Sequence, residues 1–457
     1  MGNAVITKAV RTLALASLGA LVAAGAGAQS LEEALVAAYQ NNPTLQSQRA
    51  ALRATDETVS QALAGWRPTV TLSGDASAQT SDGDRTGSSD SQPYSASLRI
   101  SQPLYRGGRT VNGIAQAEAN VEAARQTLRQ TEQTVLQGTV RAYMDVLRDE
   151  AVVDLNRANL DRLRRQLEAT RDRFEVGEVT RTDVAQAEAR VSGAISSLVA
   201  SQGTLESSRA TFRRVIGLEP VDLTRVPPLG ALPETEEEAR QVALDENPLV
   251  RQAIRSEEAS RAAVAVAEGV IYPTVSLSTS VSRAYDATTL NHRVDSASIG
   301  ATVSVPLYQT GSEYSQIRQA KQTNSQRRID IETQRRAVQE SVTQAWAALN
   351  SATEQIRSNV DQVRAAEVAL DGVRQEAEVG ARTVLDVLDA EQELLNAQVA
   401  LVRSERDEFV AGFDLRVALG RLSAEQLGLP VAIYDPAANY QAVRNKLYGR
   451  DIPSEDR

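Results

Sequence analysis

Apolar positions along this chain change period from helical to two and back again, and they do so twice. The stretch after Ser30 has helical spacing and opens with a capping box, Ser30 with Glu33; Thr235 with Glu238 opens an equivalent stretch. The spacing predicts one helix from there to about Gly65, and another to about Gly269, stopped by Pro68 and Pro273. Period two follows. Val70, Leu72, Gly74, Ala76 and Ala78 alternate with Thr69, Thr71, Ser73, Asp75 and Ser77; Ala96, Leu98 and Ile100 alternate with Ser95, Ser97, Arg99 and Ser101. In the second stretch Val275, Leu277 and Val281 stand against Ser276, Ser278, Ser280 and Ser282. Ala297, Ile299, Ala301, Val303 and Val305 stand against Ser298, Gly300, Thr302 and Ser304. The alternation predicts strands over 68–79, 94–103, 273–283 and 296–306, each with one apolar and one polar face. Each is about ten residues, the length of a tilted transmembrane β-strand. Polar segments between them, Thr80 to Gln92 and Arg283 to Asp295, are expected to be loops.

Long helices come next. No proline lies between Gly108 and Glu175, and Val121, Leu128 and Val135 stand at heptad spacing. Val360, Val363, Ala366, Leu370, Val373 and Ala377 continue the same coiled-coil pattern later in the chain. Gly177 and Gly380 are placed to stop these helices as left-handed C-caps, and Thr180 and Thr383 to cap returning ones. The result is two helical hairpins, 108–217 and 311–420.

The chain is therefore a duplication. Asn42-Pro43 returns as Asn247-Pro248, Pro103-Leu104-Tyr105 as Pro306-Leu307-Tyr308, and Gly217 as Gly420. Residues 29–233 form the first repeat, 234–428 the second, and 429–457 an irregular tail. The first 28 residues carry Lys8 and Arg11, an apolar run from Leu13 to Ala23, and Ala26-Gly27-Ala28: a cleaved signal peptide, or else a retained anchor helix.

Composition removes most chemistry. Aromatics are only 4%, which suits helices packed through small side chains. With no cysteine and one histidine, His292, there is no material for a thiol nucleophile, a disulfide or a Cys/His metal site, and no cofactor or metal is expected. A net charge of −10 argues against nucleic acid as a partner.

Four strands cannot close a barrel, and unpaired strand edges cannot face lipid. The smallest closed barrels have eight strands, so two chains or three must combine. Val, Leu, Ile and Ala would face lipid and Ser, Thr and Arg99 water, with Trp66, Tyr105, Tyr272 and Tyr308 as an aromatic girdle at the helix-proximal ends. A soluble β-layer packed on helices is the alternative.

At the hairpin tips the residues resemble a known family. Arg173-Phe174-Glu175-Val176-Gly177-Glu178-Val179-Thr180-Arg181-Thr182-Asp183-Val184 and Val379-Gly380-Ala381-Arg382-Thr383-Val384-Leu385-Asp386-Val387-Leu388-Asp389-Ala390 are similar to the two tips of the TolC family of trimeric outer-membrane channel-tunnels. Tyr434-Asp435-Pro436 with Tyr440 resembles the tail of its type I secretion members. The resemblance spans nearly all of 29–457. It implies a mainly α protein with transmembrane β: a homotrimer whose twelve-stranded β-barrel continues into a twelve-helix α-barrel through the periplasm. It implies a gate at the tips and, as partners, a periplasmic membrane-fusion adaptor and an inner-membrane ABC or proton-driven transporter. The function implied is the exit duct of a tripartite export machine, passing proteins or small toxic compounds.

The resemblance also implies site residues. Asp386 and Asp389 share a helix face, and three-fold symmetry would turn them into carboxylate rings favouring cations. Asp386 could equally complete a capping box with Thr383, whereas Asp389 stands beyond the cap, at a position where the first copy has Gln186. Arg382 would link to Thr182 and Asp183 to hold the gate closed; a solvated surface arginine is the plainer alternative. The family's gate tyrosine is Ala377 here. Val176-Gly177 and Val379-Gly380 are turns that would also dock the adaptor. A periplasmic coiled-coil scaffold or adaptor is the competing function; it leaves the strands unexplained. A secreted hydrolase using the Asp386–Asp389 pair lacks a second, differently placed carboxylate.

Overall fold

In the computed structural model residues 29–83, 87–224, 226, 230, 232–288 and 291–452 are described. The signal peptide expected at 1–28 lies outside the described residues, as does 453–457.

The first copy runs α1 (Leu31–Asn41), α2 (Pro43–Leu63), β1 (Thr69–Ala76), β2 (Gln79–Gly83), β3 (Gly87–Ser91), β4 (Tyr94–Arg106), α3 (Arg109–Glu175) and α4 (Arg181–Ile216). The second runs α5 (Glu236–Glu246), α6 (Pro248–Glu268), β5 (Thr274–Thr288), β6 (Asn291–Ser304), α7 (Ser312–Glu378) and α8 (Val384–Leu419); α9 (Ala438–Val443) follows in the tail.

Each copy's opening helix is split, where spacing predicted a continuous one. Asn42 is the reason. Its side-chain oxygen accepts from the Thr44 amide at 2.9 Å, capping α2 behind Pro43, while its Nδ2 donates to the Val215 carbonyl at 2.8 Å. Asn247 repeats the arrangement with Leu249 and the Ala418 carbonyl, also at 2.8 Å. One side chain thus ends a helix, starts the next and pins both to the returning arm of its hairpin. Around this level lies the main core, with Leu45, Leu52, Leu136, Tyr143, Phe212 and Ile216 buried. Each such side chain contributes about 1.5–3 kcal/mol. The tail straps it: Arg49 lies between the Tyr39 and Tyr434 rings, Asn439 donates to Asp56 at 2.8 Å, and Arg444 pairs with Glu118 at 3.0 Å. Burial outweighs these partners at Asp56 and raises its pKa.

α3 and α7 are 67 residues each, about 100 Å at 1.5 Å per residue. Both end on a left-handed glycine, Gly177 (φ 82°) and Gly380 (φ 77°). The next amide closes the turn, Glu178 onto the Arg173 carbonyl and Ala381 onto that of Glu376.

The main sheet is antiparallel in the order β1-β4-β5-β6, so its central pairing, β4 with β5, joins the two copies. Two expected loops are corrected. Within Thr80 to Gln92, β2 and β3 form a separate hairpin; from Arg283 to Asp295, β5 and β6 continue, with Arg283 opposite Asp295. These extensions are polar on both faces or end in charge, so they lack the apolar alternation that marks a half-buried strand. β6 conversely stops at Ser304, before Pro306.

Candidate functional site

Two parts of the molecule hold the candidate residues: the sheet and the hairpin tips. Among the described residues, no element covers either face of the sheet. Leu72 is 76% and Ile299 77% exposed, which removes the alternative of a β-layer packed on helices. The register sorts the faces. Leu72, Leu98, Val281 and Ala297 form one row, and Val70, Ile100, Thr279 and Ile299 the next. On the opposite face Ser73, Ser97, Ser282 and Ser296 align across all four strands, with hydroxyls bonded at 2.7 Å in the outer pairs. Apolar residues facing lipid and hydroxyls facing water is the arrangement a barrel wall requires. Arg99 stands on the hydroxyl face opposite Thr71 and Ser280, while Asp75 is opposite Ser95. Four residues of strand, about 13 Å, separate the two, so Arg99 does not simply neutralise Asp75.

Trp66 sits in a 3₁₀ turn before β1, Tyr272 just before β5, Tyr105 late in β4 and Tyr308 just past β6; all four are exposed at the helix-proximal end. Sequence reasoning missed their counterparts at the far end. Tyr94 and Tyr285 face each other across β4 and β5 and stack with ring centroids 4.7 Å apart. Aromatics flanking both ends of an apolar band were the signal.

At the tips, Asp386 completes the capping box: its carboxylate accepts from the Thr383 amide at 2.9 Å and the hydroxyl at 2.8 Å. The amide, then the hydroxyl, then the Arg382 charge hold its pKa below the usual aspartate value. Asp183 is bound likewise to Thr180, at 2.8 Å from the amide. Arg382 donates to Glu376 of its own hairpin at 2.8 Å. Within one chain the structure therefore brings Arg382 to Glu376, and Asp183 to Thr180, but does not bring Arg382 to Thr182 or Asp183. Thr182 is exposed on the first turn of α4. Val176 and Val379 are exposed at the apices, at 72% and 81%.

Asp389 has a partner that sequence reasoning missed. Arg190, on α4, donates to its carboxylate and ties the second hairpin to the first. Val384 and Leu388 beside it pack into Leu160, Leu163, Ala187 and Ala194 of the first hairpin. Below this clasp each hairpin carries an equivalent internal ion pair, Arg171 with Glu188 at 2.6 Å and Arg374 with the nearly buried Glu391 at 2.7 Å. Arg190 departs from the duplication, since its counterpart is Glu393. That charge reversal, one turn beyond Gln186, was the available signal. Among the described residues no group of His, Asp and Glu is arranged to hold a metal ion, and no helix is long and apolar enough to cross a membrane.

Known proteins share this architecture. The family model described as outer membrane efflux protein matches twice, over residues 34–218 and 239–421, in step with the duplication. The outer membrane efflux protein BepC of Brucella suis is 38% identical over 426 residues, covering 93% of this chain and 92% of that protein. The outer membrane protein TolC of Vibrio cholerae is 28% identical over 431 residues, covering 91% and 97%. The solved outer membrane channel CmeC of Campylobacter jejuni, 15% identical, superposes with a TM-score of 0.78 over 91% of this chain and 89% of its own, a likeness of fold. The chain thus belongs to the outer membrane efflux protein family: it is a transport channel of the outer membrane that extends into the periplasm, and not an enzyme.

Proposed function

We propose that three copies of this chain close one duct, the outer-membrane exit of a tripartite export machine. The observation that carries the reading is the four-stranded sheet, exposed on both faces and ending in unpaired β1 and β6 edges, which runs directly into the 67-residue helices. Unpaired edges cannot stand in lipid, so β1 of one copy must meet β6 of the next. Repeats 29–233 and 234–428 each supply a half of the protomer's wall, and the tail over 429–452 girds it at the level of the core. Closed this way, the serine rows line a hydrated lumen and the valine, leucine and isoleucine rows meet outer-membrane lipid.

The tips form the periplasmic gate in this reading. Asp386 and Asp389 from three chains crowd negative charge at the narrowest point, favouring cations. Arg190 partly offsets that charge, so Asp386 is the more effective of the pair while the clasp is closed. Arg382 reaches Thr182 and Asp183 of an adjacent chain only by leaving Glu376; the exchange would couple neighbouring hairpins. The exposed turns Val176-Gly177 and Val379-Gly380 offer the adaptor its docking points, and the inner-membrane ABC or proton-driven transporter feeds the duct from below.

Planar-bilayer recordings test this reading. The purified protein is expected to conduct poorly and to prefer cations. If Asp386→Asn with Asp389→Asn leaves both cation preference and block by multivalent cations unchanged, the carboxylates do not line the gate.

A further inference from the structure

The outward face of the sheet ends in charge at the end remote from the helices. Odd-numbered residues of β5 share that face: Val275, Leu277, Thr279 and Val281, then Arg283 and Tyr285. On β6 they are matched by Val303, Ala301, Ile299 and Ala297, then Asp295 and Arg293. Arg283 grips Asp295 with two bonds, at 2.6 and 3.1 Å, and Arg293 reaches the same carboxylate at 2.9 Å. Two guanidinium groups thus share one carboxylate, leaving one positive charge in surplus, and both arginines are more than half exposed. The neighbouring positions in the Arg283 row are Ala96 and Gly74, which have no bulk to cover it. The next row outward carries the Tyr94–Tyr285 stack beside Arg293.

The height of this cluster decides what it meets. Eight residues separate Val275 from Arg283 (283 − 275). They span about 26 Å of strand, or about 20 Å along the membrane normal at a tilt of about 40°, close to the ~25 Å apolar band of an outer-membrane barrel. The helices leave the sheet at its Thr274 and Ser304 end, so in a barrel whose helices enter the periplasm Arg283 and Arg293 would stand at the headgroup level of the outer leaflet. That leaflet is built of phosphorylated glycolipid. Arginine binds phosphate with paired, charge-assisted hydrogen bonds, and Asp295 holds both forks in place with donors to spare.

We propose that Arg283 and Arg293, positioned by Asp295, bind a phosphate of an outer-leaflet glycolipid whose acyl chains lie on the Leu98–Val281–Ala297 row. The site rests on the apolar face being outward in an assembled barrel, which outer-membrane fractionation of the same preparations checks separately. The experiment is native mass spectrometry of the full-length assembly titrated with phosphorylated outer-leaflet glycolipid and with the same glycolipid after phosphatase treatment. The wild type should prefer the phosphorylated form, and R283Q/R293Q should bind it at least about tenfold more weakly, with binding of the dephosphorylated form unchanged. D295N, which removes the competing negative charge while its amide oxygen still accepts from the two guanidinium groups, should bind the phosphorylated form more tightly than wild type. Equal binding of the phosphorylated form by wild type and R283Q/R293Q overturns the proposal. So does a wild type indifferent to the phosphate. Should R283Q/R293Q fail to assemble, D295N still decides, because a preference for the phosphorylated form that D295N does not strengthen means the cluster serves only as a cross-strand ion pair.

Discussion

Asp389 and Asp386 lie one helical turn apart and are held in different ways. Asp386 is bound to its own helix terminus, Asp389 to Arg190 of the other hairpin. An exposed ion pair is worth about 0.2–1 kcal/mol, so Arg190 contributes little to folding. Arg190→Gln should therefore leave thermal stability within about 0.5 kcal/mol of wild type. It should nevertheless raise single-channel conductance and tighten multivalent-cation block, because it frees both a carboxylate and the hairpin that bears it. Unchanged block would mean that Asp389 does not face the pore. The pH dependence follows from Asp386. Its folded pKa lies below the ordinary 3.8, so the cap's stabilisation is complete above that value and is lost as pH falls through the lower one. Cation preference should accordingly survive acidification to about pH 4 and fade only beneath it, read as reversal potential against pH. The charge reversal against Glu393 marked Arg190 in the sequence, but its pairing with Asp389 was not legible, because it depends on how far apart two hairpins sit, which no local pattern encodes. The capping boxes, by contrast, depend only on residues three apart, and Ser30, Thr180 and Thr383 were readable as caps.

At the scale of elements, the duplication repeats a construction device. Asn42 and Asn247 each serve two carbonyl-and-amide sites at once, capping a helix and clamping it to the returning arm. A cap alone is worth about 1 kcal/mol, and a buried carbonyl left without its donor costs about 1–3 kcal/mol more. Asn247→Ala should therefore destabilise by about 2–4 kcal/mol in calorimetric unfolding; a loss near that of a simple cap would show that the clamp to Ala418 is dispensable. The tips make the opposite case. Gly177→Ala forces a side chain into φ 82°, at about 1 kcal/mol, yet its surroundings are open. Its effect should be local, seen as faster amide exchange at Glu178 with the melting temperature little changed. The strands with an apolar face were legible because alternation records burial on one side. β2 and β3 were not, since Gln79–Gly83 and Gly87–Ser91 have no apolar side to record. The break at Asn42 hid for another reason: helical spacing continues through it, and only the Asn-Pro pair marks a new start.

For the whole molecule, one chain is an open piece of wall. Among the described residues its sheet has two free edges and its apolar rows meet no covering element, and its longest helices far outreach the core at Tyr143 and Phe212. Three copies of four strands give twelve and leave no edge, whereas the same logic with two copies gives eight. The outer-membrane destination and the duplicated wall were legible in the sequence, but the number of copies rests on resemblance and on closure. The most direct measurement uses the absence of native cysteine. Single cysteines placed in pairs along β1 and β6 and oxidised in outer membranes should produce a covalent ladder that stops at three chains. A ladder that ends at two chains, or no cross-link at any register, would contradict the closed three-chain duct.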